Sequence, residues 1–222
     1  MAVAASEEER DLALSAASSA LLRRVATGLH ARFLDFAIPG WPWIEETLTY
    51  EAALLPRALI VAGRRLGAGV MTAIGLQVLD WLIEAQTSPQ GRFSPVGNGW
   101  WPRGGTKSQF DQQPIEATAL LLAAEAAHGA TMNPRYLVAM ERAYAWFLGA
   151  NDLGVKVADP ARGACGDGLT STGLNTNEGA ESTLMWLTAA EHIRLARSRM
   201  PRVQPAPSSS RRTPRPVAVA AG

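Results

Sequence analysis

Hydrophobic and polar residues follow one another along most of this chain with the period of an α-helix, in which apolar side chains return every three or four positions. Leu137, Met140 and Tyr144 illustrate the spacing in the fifth of six such segments. The predicted helices cover residues 6–37, 50–66, 70–86, 114–128, 134–148 and 178–199. Glycine and proline clusters between them indicate turns, and no alternation typical of a β-strand extends beyond a few residues. The pattern therefore predicts an all-α protein.

Two of the predicted connections are long, at residues 87–113 and 149–177. Loops of more than about 15 residues without secondary structure are uncommon in a compact domain, and those that occur are usually functional. Each of these loops leads into a helix that carries a carboxylate near its start, Glu116 in the first case and Glu181 in the second. We therefore look for functional residues in these loops and in the helical turns that follow them.

The helices that follow the two loops also share a sequence pattern. The seven residues from Glu116 (EATALLL) correspond to the seven from Glu181 (ESTLMWL), and Glu51 precedes Glu116 by the same 65 residues. Trp81 and Trp146 form a second pair of markers at this interval. Two markers with one spacing indicate a structural repeat. The prediction is three helical hairpins packed side by side, with the three glutamates at one height around a common axis.

The first long loop ends in a segment whose side chains suit a polyhydroxylated ligand. Trp100 and Trp101 offer broad apolar planes that match the C–H face of a sugar ring, although either ring could instead pack the loop onto the core. Arg103 is suited to bind a phosphate or carboxylate group of a ligand. An ion pair between Arg103 and Asp111 or Asp167 is the alternative.

Four amide side chains in the loops supply both hydrogen-bond donors and acceptors, as the hydroxyl groups of a sugar require. They are Gln112, Gln113, Asn175 and Asn177. The same residues would look no different in the sequence if they served as helix caps or loop ties. Asp167 lies between two glycines, which makes it either a turn residue or a further acid at the rim of the site.

Hydrolysis of a glycosidic bond requires two carboxyl groups, one protonated and one ionised. Four candidates precede or begin the two glutamate-containing helices: Asp111, Glu116, Glu178 and Glu181. If those helices are neighbours, Asp111 would face Glu178 or Glu181 across a gap that fits a sugar. The alternative role is structural, because acidic residues in a first turn stabilise a helix through its dipole.

Composition excludes several classes of function. A formal charge of +1 provides no field that would attract nucleic acid. The three histidines and the single cysteine, Cys165, show no common spacing, so no metal site and no cofactor is predicted. No apolar run approaches the roughly 20 residues that span a bilayer. The acidic residues 7–9 stand where a secretion signal would be basic. We expect a cytoplasmic protein without a membrane span.

The hydrophobic pattern also predicts where the folded part of the chain ends. Residues 1–199 are expected to form one helical domain. Residues 200–222 consist largely of Pro, Ser, Arg and Ala without periodicity, and such a composition cannot bury enough apolar surface to fold. A disordered tail is therefore predicted after the last helix.

Four motifs, in this order, resemble the helical C-terminal domain attached to a group of bacterial glycosyltransferases. They are residues 110–117 (FDQQPIEA), 146–154 (WFLGANDLG), 165–169 (CGDGL) and 175–184 (NTNEGAESTL). More distantly, that domain is similar to the (α/α) toroids of six-hairpin glycosidases and sugar epimerases. The resemblance covers about residues 50–194. It implies a carbohydrate-related role and a ring whose inner helices point their N-termini into a central funnel.

The chain differs from that family because it lacks the alternation of strands and helices that would form a nucleotide-sugar-binding domain. With three hairpins it would form an incomplete (α/α) toroid, about half of a closed ring. The resemblance therefore implies a module that acts with a glycosyltransferase partner, or that associates with itself, and that binds a sugar or oligosaccharide. A stand-alone glycoside hydrolase or epimerase and a non-catalytic scaffold fragment are the alternatives.

Overall fold

The structure of this protein, a computed structural model, describes residues 16–199. Two expectations from the sequence lie outside these residues: the start of the first helix at Ser6 and the disordered tail at residues 200–222.

The described part of the chain is mostly helical, as the hydrophobic pattern predicts. Its helices are α1 (Ala16–Phe36), α2 (Leu54–Leu66), α3 (Gly69–Ala85), α4 (Pro114–Thr131), α5 (Arg135–Phe147) and α6 (Ala180–Arg199). Within residues 16–199, none of the helices combines the length and the apolar character needed to cross a membrane.

Short strands lie in the connections and form three antiparallel pairs. They are β1 (Thr47–Leu48) with β2 (Trp101–Pro102), β3 (Ala158–Asp159) with β4 (Ala164–Cys165), and β5 (Gly168–Thr170) with β6 (Gly173–Asn175). Each strand has only two or three residues. Such strands are too short to produce an alternating pattern in the sequence, and they leave the protein predominantly helical.

Helix α2 begins later than its hydrophobic pattern predicts. Residues 50–53 form a turn, in which Glu51 has a φ of 53°. This left-handed conformation is incompatible with a right-handed helix. Pro56 consequently lies in the first turn of α2, where its missing N–H has no helical partner to lose.

Helix α6 also begins later than predicted, at Ala180. Glu178 therefore precedes the helix instead of occupying its first turn. The side chain of Asp167 marks the start, because its Oδ1 accepts hydrogen bonds from the Gly179 N–H at 2.8 Å and the Ser182 hydroxyl at 2.7 Å. A carboxylate at this position satisfies N–H groups that have no partner inside the helix and complements the helix dipole.

Helices α2, α4 and α6 lie side by side and run in the same direction. Three contacts define this arrangement: Glu51 with Glu116 at the starts of α2 and α4, Thr118 with Met185 near the starts of α4 and α6, and Glu125 with His192 farther along the same two helices. Helix α3 packs against α2, α5 packs against α4, and α1 covers the side of α2. The N-terminal ends of the three parallel helices consequently meet at one end of the protein.

Helix α4 occupies the centre of the core and contacts α2, α3, α5 and α6. Burial of α4 on most sides, which its Ala- and Leu-rich sequence predicts, is confirmed. Its buried alanines, among them Ala117, Ala123, Ala124 and Ala127, let the neighbouring helices approach closely. Larger side chains such as Leu59, Leu82 and Trp146 fill the space around them. Full burial of one leucine stabilises the fold by roughly 1.5–3 kcal/mol.

The contact between α2 and α3 requires a glycine. A Cβ atom at Gly75 would lie 2.8 Å from both the Ile60 Cγ1 atom and the Pro56 carbonyl oxygen. We expect Gly75→Ala to lower the free energy of unfolding by about 1–3 kcal/mol, the usual cost of overpacking a core. Urea denaturation monitored by circular dichroism measures this change.

Gly28 provides the matched control, because it lies within α1 and a Cβ atom there would meet no atom within 4 Å. Gly28→Ala should raise the free energy of unfolding by about 0.5–1 kcal/mol, since alanine favours a helix over glycine. Equal effects of the two substitutions would contradict the close packing of α2 against α3.

Candidate functional site

The segments that precede α2, α4 and α6 are hydrogen-bonded to one another. The Arg103 N–H donates to the Glu46 carbonyl at 2.7 Å, beside the β1–β2 pair. Gln112 and Leu169 exchange two backbone hydrogen bonds of 3.1 and 2.9 Å. Gly168 is required at this junction, because a Cβ atom there would lie 2.3 Å from the Gln112 carbonyl oxygen. These bonds hold the three loops together over the N-terminal ends of the parallel helices.

Glu51, Glu116 and Glu181, which we call the glutamate group, lie at this end of the protein. Glu116 is only 4% exposed, and its Oε1 accepts the Glu51 N–H at 2.5 Å. Burial raises the pKa of Glu116 to about 8, backbone hydrogen bonds from Glu51 and Ala52 lower it, and the Glu51 carboxylate raises it. Burial, followed by the charge of Glu181, also raises the pKa of Glu51. At neutral pH the buried carboxyl group of Glu116 therefore holds a proton.

A pocket of about 200 Å³ opens between the loops that precede α4 and α6. We call it the polar pocket, and its polar lining residues are Asn98, Asp111, Gln112, Gln113, Asp167, Thr170 and Asn175. Five of these, Asp111, Gln112, Gln113, Asp167 and Asn175, are candidates from the sequence, and the structure brings them together. Asp111 has a φ of 58°, a conformation that aspartate and asparagine tolerate better than most residues. The side chain of Gln113, although it precedes α4, forms no capping hydrogen bond.

Asp167 lines the polar pocket, and its carboxylate also caps the start of α6, a role that is not among the two left open by the sequence. The Asn177 amide donates to its Oδ2, in addition to the two bonds that reach Oδ1 from the start of α6. The hydrogen bond from Asn177, with those from Ser182 and Gly179, lowers the pKa of Asp167. An ionised carboxylate is therefore held in a fixed position at the pocket. Asn177 acts here as a tie for Asp167.

The Gln112 side chain is fully buried and is used within the fold. Its amide nitrogen donates to the Gln109 carbonyl at 2.7 Å and to the Asp152 carboxylate at 2.6 Å. Its amide oxygen accepts the Trp146 indole N–H at 2.9 Å. The sequence leaves two roles open for Gln112, a ligand contact or a loop tie. In the structure it is a loop tie that joins the start of α4 to the end of α5.

The two candidate tryptophans have different environments. Trp101 packs onto the core, with its ring stacked on Trp81 at a centroid distance of 5.7 Å and its indole N–H bonded to the Gly105 carbonyl. Trp100 is half-buried in a left-handed turn with a φ of 59°. Its ring lies 6.1 Å from that of Tyr50, which is 58% exposed. Trp100 and Tyr50 therefore form an accessible aromatic pair beside Glu51.

Two other candidates pair with residues that the sequence does not single out. Arg103 forms an ion pair with Glu46 at 2.5 Å, and not with Asp111 or Asp167. Glu178 accepts both guanidinium N–H groups of Arg162, at 3.1 and 2.8 Å, and lines a separate cleft beside β3 and β4. Glu178 thus lies in the loop before α6 beside Arg162, whereas Asp111 lines the polar pocket. The expected placement of Asp111 opposite Glu178 or Glu181 across a sugar-sized gap stays a prediction.

Three residues of the site are absent from the sequence predictions: Tyr50, Asn98 and Thr170. Asn98 is followed by glycine, a pair typical of turns, but this signal does not indicate that its side chain faces a pocket. For Tyr50, the only feature of the sequence that could indicate a place in the site is its position next to Glu51. All three come to the site through contacts between loops that are distant in the sequence.

The arrangement provides hydrogen-bonding groups and carboxyl groups in both protonation states. Cys165 cannot act as a nucleophile at neutral pH, since burial and the nearby Asp167 and Glu178 carboxylates raise its pKa to about 12. Within residues 16–199, no three His, Cys, Asp or Glu side chains are grouped so that they could hold a metal ion.

The chain matches no protein-family model and no curated protein.

The buried proton of Glu116 should make stability depend on pH. The unfolded chain releases this proton near pH 4.5, whereas the folded protein holds it up to about pH 8. Folding thus takes up a proton between these values, so the free energy of unfolding falls as pH rises through this window, by up to about 1.4 kcal/mol per pH unit. Urea denaturation between pH 5 and pH 8 measures the slope.

Glu116→Gln should flatten this slope, because glutamine accepts the same N–H bonds but does not titrate. Glu45→Gln, a change at an exposed glutamate, should leave the slope unchanged. A slope that persists in the Glu116→Gln variant would contradict our assignment of the proton to Glu116.

Gln112 and Gln113 are adjacent, but their substitutions should differ in effect. Gln112→Ala leaves the Trp146 indole N–H and the Asp152 carboxylate without their buried partner, so we expect a loss of about 2–3 kcal/mol in the free energy of unfolding. Gln113→Ala removes a side chain that lines the pocket and should change stability by less than about 0.5 kcal/mol. Differential scanning calorimetry of both variants tests this, and equal losses would refute the structural role of Gln112.

Proposed function

We propose that this protein is a carbohydrate-binding helical module that acts beside a bacterial glycosyltransferase in polysaccharide or glycoconjugate synthesis. Its sugar ligand would bind at the polar pocket. The observation that carries the proposal is the convergence of Asp111, Gln113, Asp167 and Asn175, from two loops more than 50 residues apart in the chain, on one pocket. Because these residues come from loops that are distant in the sequence, their common position supports a ligand-binding site rather than a purely local structural role.

The chemistry of the pocket suits hydroxyl groups. Carboxylates accept hydrogen bonds from hydroxyl groups, and amides both donate and accept them. The pocket is small, at about 200 Å³, which fits one sugar unit better than a long oligosaccharide. The aromatic pair of Tyr50 and Trp100 stands at the same end of the protein, and an exposed ring there would cover the apolar face of a further unit.

The fold that goes with this proposal is an incomplete (α/α) toroid, in which α2, α4 and α6 are the inner helices of three units. The contact between Glu51 and Glu116 supports it, because it joins residues 65 positions apart at the starts of two parallel helices. The charge interaction between Glu51 and Glu181 supports it for the third position. In this interpretation, the common end of the inner helices is the floor of the funnel.

A stand-alone glycosidase or epimerase is the second candidate, and the protonated Glu116 favours it. Catalysis by a general acid requires a carboxyl group that keeps its proton near neutral pH, beside a second group that is ionised. Glu181, which is exposed in the first turn of α6, is the second carboxyl group of this candidate. Because Glu116 is deeply buried, a substrate has little access to its carboxyl group, and we therefore propose the binding module first.

A partner chain is part of the proposal, because apolar residues are exposed on the helices at both lateral edges. Leu21, Val25 and Phe36 are 44–52% exposed on α1, and Leu184 and Leu187 are 58% and 47% exposed on α6. The terminal units of stacked helical folds normally have polar outer faces. Such edges suit a glycosyltransferase domain, a second copy of the chain, or the other chain of a scaffold.

Isothermal titration calorimetry with the full chain tests the sugar site. The panel comprises neutral mono- and disaccharides, amino sugars and nucleotide sugars. We expect binding of at least one sugar, weakened about tenfold or more in Asp111→Asn, because one charge-assisted hydrogen bond is worth roughly 1.5–3 kcal/mol. Asparagine preserves the left-handed backbone at this position, so the change isolates the carboxylate.

Asp35→Asn is the matched control, since it removes the same charge from an exposed position on α1, and it should bind the sugar as the wild type does. Absence of binding across the panel, with folding verified by circular dichroism, would refute the sugar site. Turnover of a bound sugar that is lost in Glu181→Gln would favour the second candidate over the first.

A further inference from the structure

A cleft of about 550 Å³ lies at the C-terminal ends of α2, α4 and α6. This is the opposite end of the parallel helices from the polar pocket. Because α4 has 18 residues and a helix rises 1.5 Å per residue, the two regions are separated by roughly 25 Å. The cleft therefore has no part in the proposed sugar site.

Three guanidinium groups line this cleft. Arg64 and Arg65 come from the last turn of α2, and Arg199 comes from the end of α6. We call the cleft that they line the arginine cleft. The acid in its lining is Glu125, whose Oε2 lies 2.7 Å from the His192 Nδ1 atom. The lining thus carries an excess of positive charge.

Five arginines elsewhere in the fold are paired with acids. Arg103, Arg135, Arg162, Arg194 and Arg197 each have a carboxylate oxygen within 2.8 Å. Among residues 16–199, no carboxylate approaches within 4.0 Å of the side-chain nitrogens of Arg64, Arg65 or Arg199. Within the described part of the chain, the positive charge of these three arginines is therefore not neutralised by an ion pair.

Arg64 is set against the backbone of α4. A Cβ atom at Gly129 would lie 3.2 Å from the Arg64 Nη1 atom, so the absence of a side chain at Gly129 lets the guanidinium group lie close to the end of α4. Val61, Leu122 and Ala126 contribute apolar side chains to the same cleft. The cleft combines an apolar floor with cationic groups.

An arginine in the last turn of a helix also stabilises the helix through its dipole. That effect acts within each helix and does not require arginines of α2 and α6, which are distant in the sequence, to line one cleft. Guanidinium groups are planar donors whose geometry matches phosphate oxygens, which they bind in a bidentate manner. Such donors, beside the apolar residues Val61, Leu122 and Ala126 of the same cleft, suit a ligand that combines a phosphate group with an apolar body.

We propose that the arginine cleft binds an organic phosphate, with the phosphate group held by Arg64, Arg65 and Arg199 and an apolar or aromatic body lying on Val61, Leu122 and Ala126. An inorganic phosphate ion uses only the first half of this site. It should therefore bind more weakly than a phosphate that carries an aromatic group.

Isothermal titration calorimetry with 1-naphthyl phosphate, inorganic phosphate and 1-naphthol, at constant ionic strength, tests the proposal. The full chain should bind 1-naphthyl phosphate at least about tenfold more tightly than either of the other two, since the apolar contact adds at least about 1.4 kcal/mol. The double variant Arg64→Gln/Arg199→Gln should lose about tenfold or more of this affinity. The double variant Arg162→Gln/Arg194→Gln removes the same charge elsewhere and should lose less than about twofold.

Equal weakening in the two double variants, or no binding of 1-naphthyl phosphate to the wild type at millimolar concentration, would overturn the proposal. If the first double variant fails to fold, measurements on the wild type decide the test.

Modification of the wild type by phenylglyoxal, followed by mass spectrometry, should show that 1-naphthyl phosphate protects Arg64, Arg65 and Arg199 but not Arg194. Equal protection of Arg194 would also overturn it.

Discussion

The hydrogen bond from the Glu51 backbone to the buried carboxyl group of Glu116 is the contact on which the site depends. It fixes the turn before α2 against the first turn of α4, although burying a carboxyl group is unfavourable when the group is charged. Protonation at neutral pH reduces that cost, and the two N–H groups from Glu51 and Ala52 satisfy the buried oxygen atoms. The Glu116 side chain thus joins the N-terminal ends of two parallel helices.

The rest of the site is built outward from this contact through the loops. Gln112, just before α4, joins its own loop to the loop before α6 by backbone bonds to Leu169 and to the core by its side chain. Asp167 then closes the arrangement by capping α6. Loop residues held by such buried bonds lose little further conformational freedom when a ligand binds, which favours affinity. These hydrogen bonds tie down the backbone on both sides of the polar pocket, although it lies in loops.

The sequence predicts the helices well because their periodicity depends on local burial, and α4 shows this most clearly. Prediction from the sequence fails where a tertiary contact determines the local conformation or the partner of a side chain. Glu51 has a left-handed conformation and donates its N–H to Glu116, and α2 starts only after this residue. Arg103 pairs with Glu46, and Glu178 pairs with Arg162. No spacing in the chain indicates these partners. Tyr50, Asn98 and Thr170 reach the site for the same reason, through contacts between distant loops.

The arrangement of the loops requires that Glu116 be buried and protonated next to Glu51. Carbon-13 NMR of protein labelled at the glutamate side-chain carboxyl carbon, titrated from pH 3 to pH 10, measures this directly, with the Glu116→Gln variant to assign the signal. We predict one glutamate carboxyl resonance with a midpoint near pH 8, absent from the variant. If the Glu116 resonance instead titrates near its ordinary value of 4.5, its carboxyl group is in water, and the account of how the loops meet is wrong.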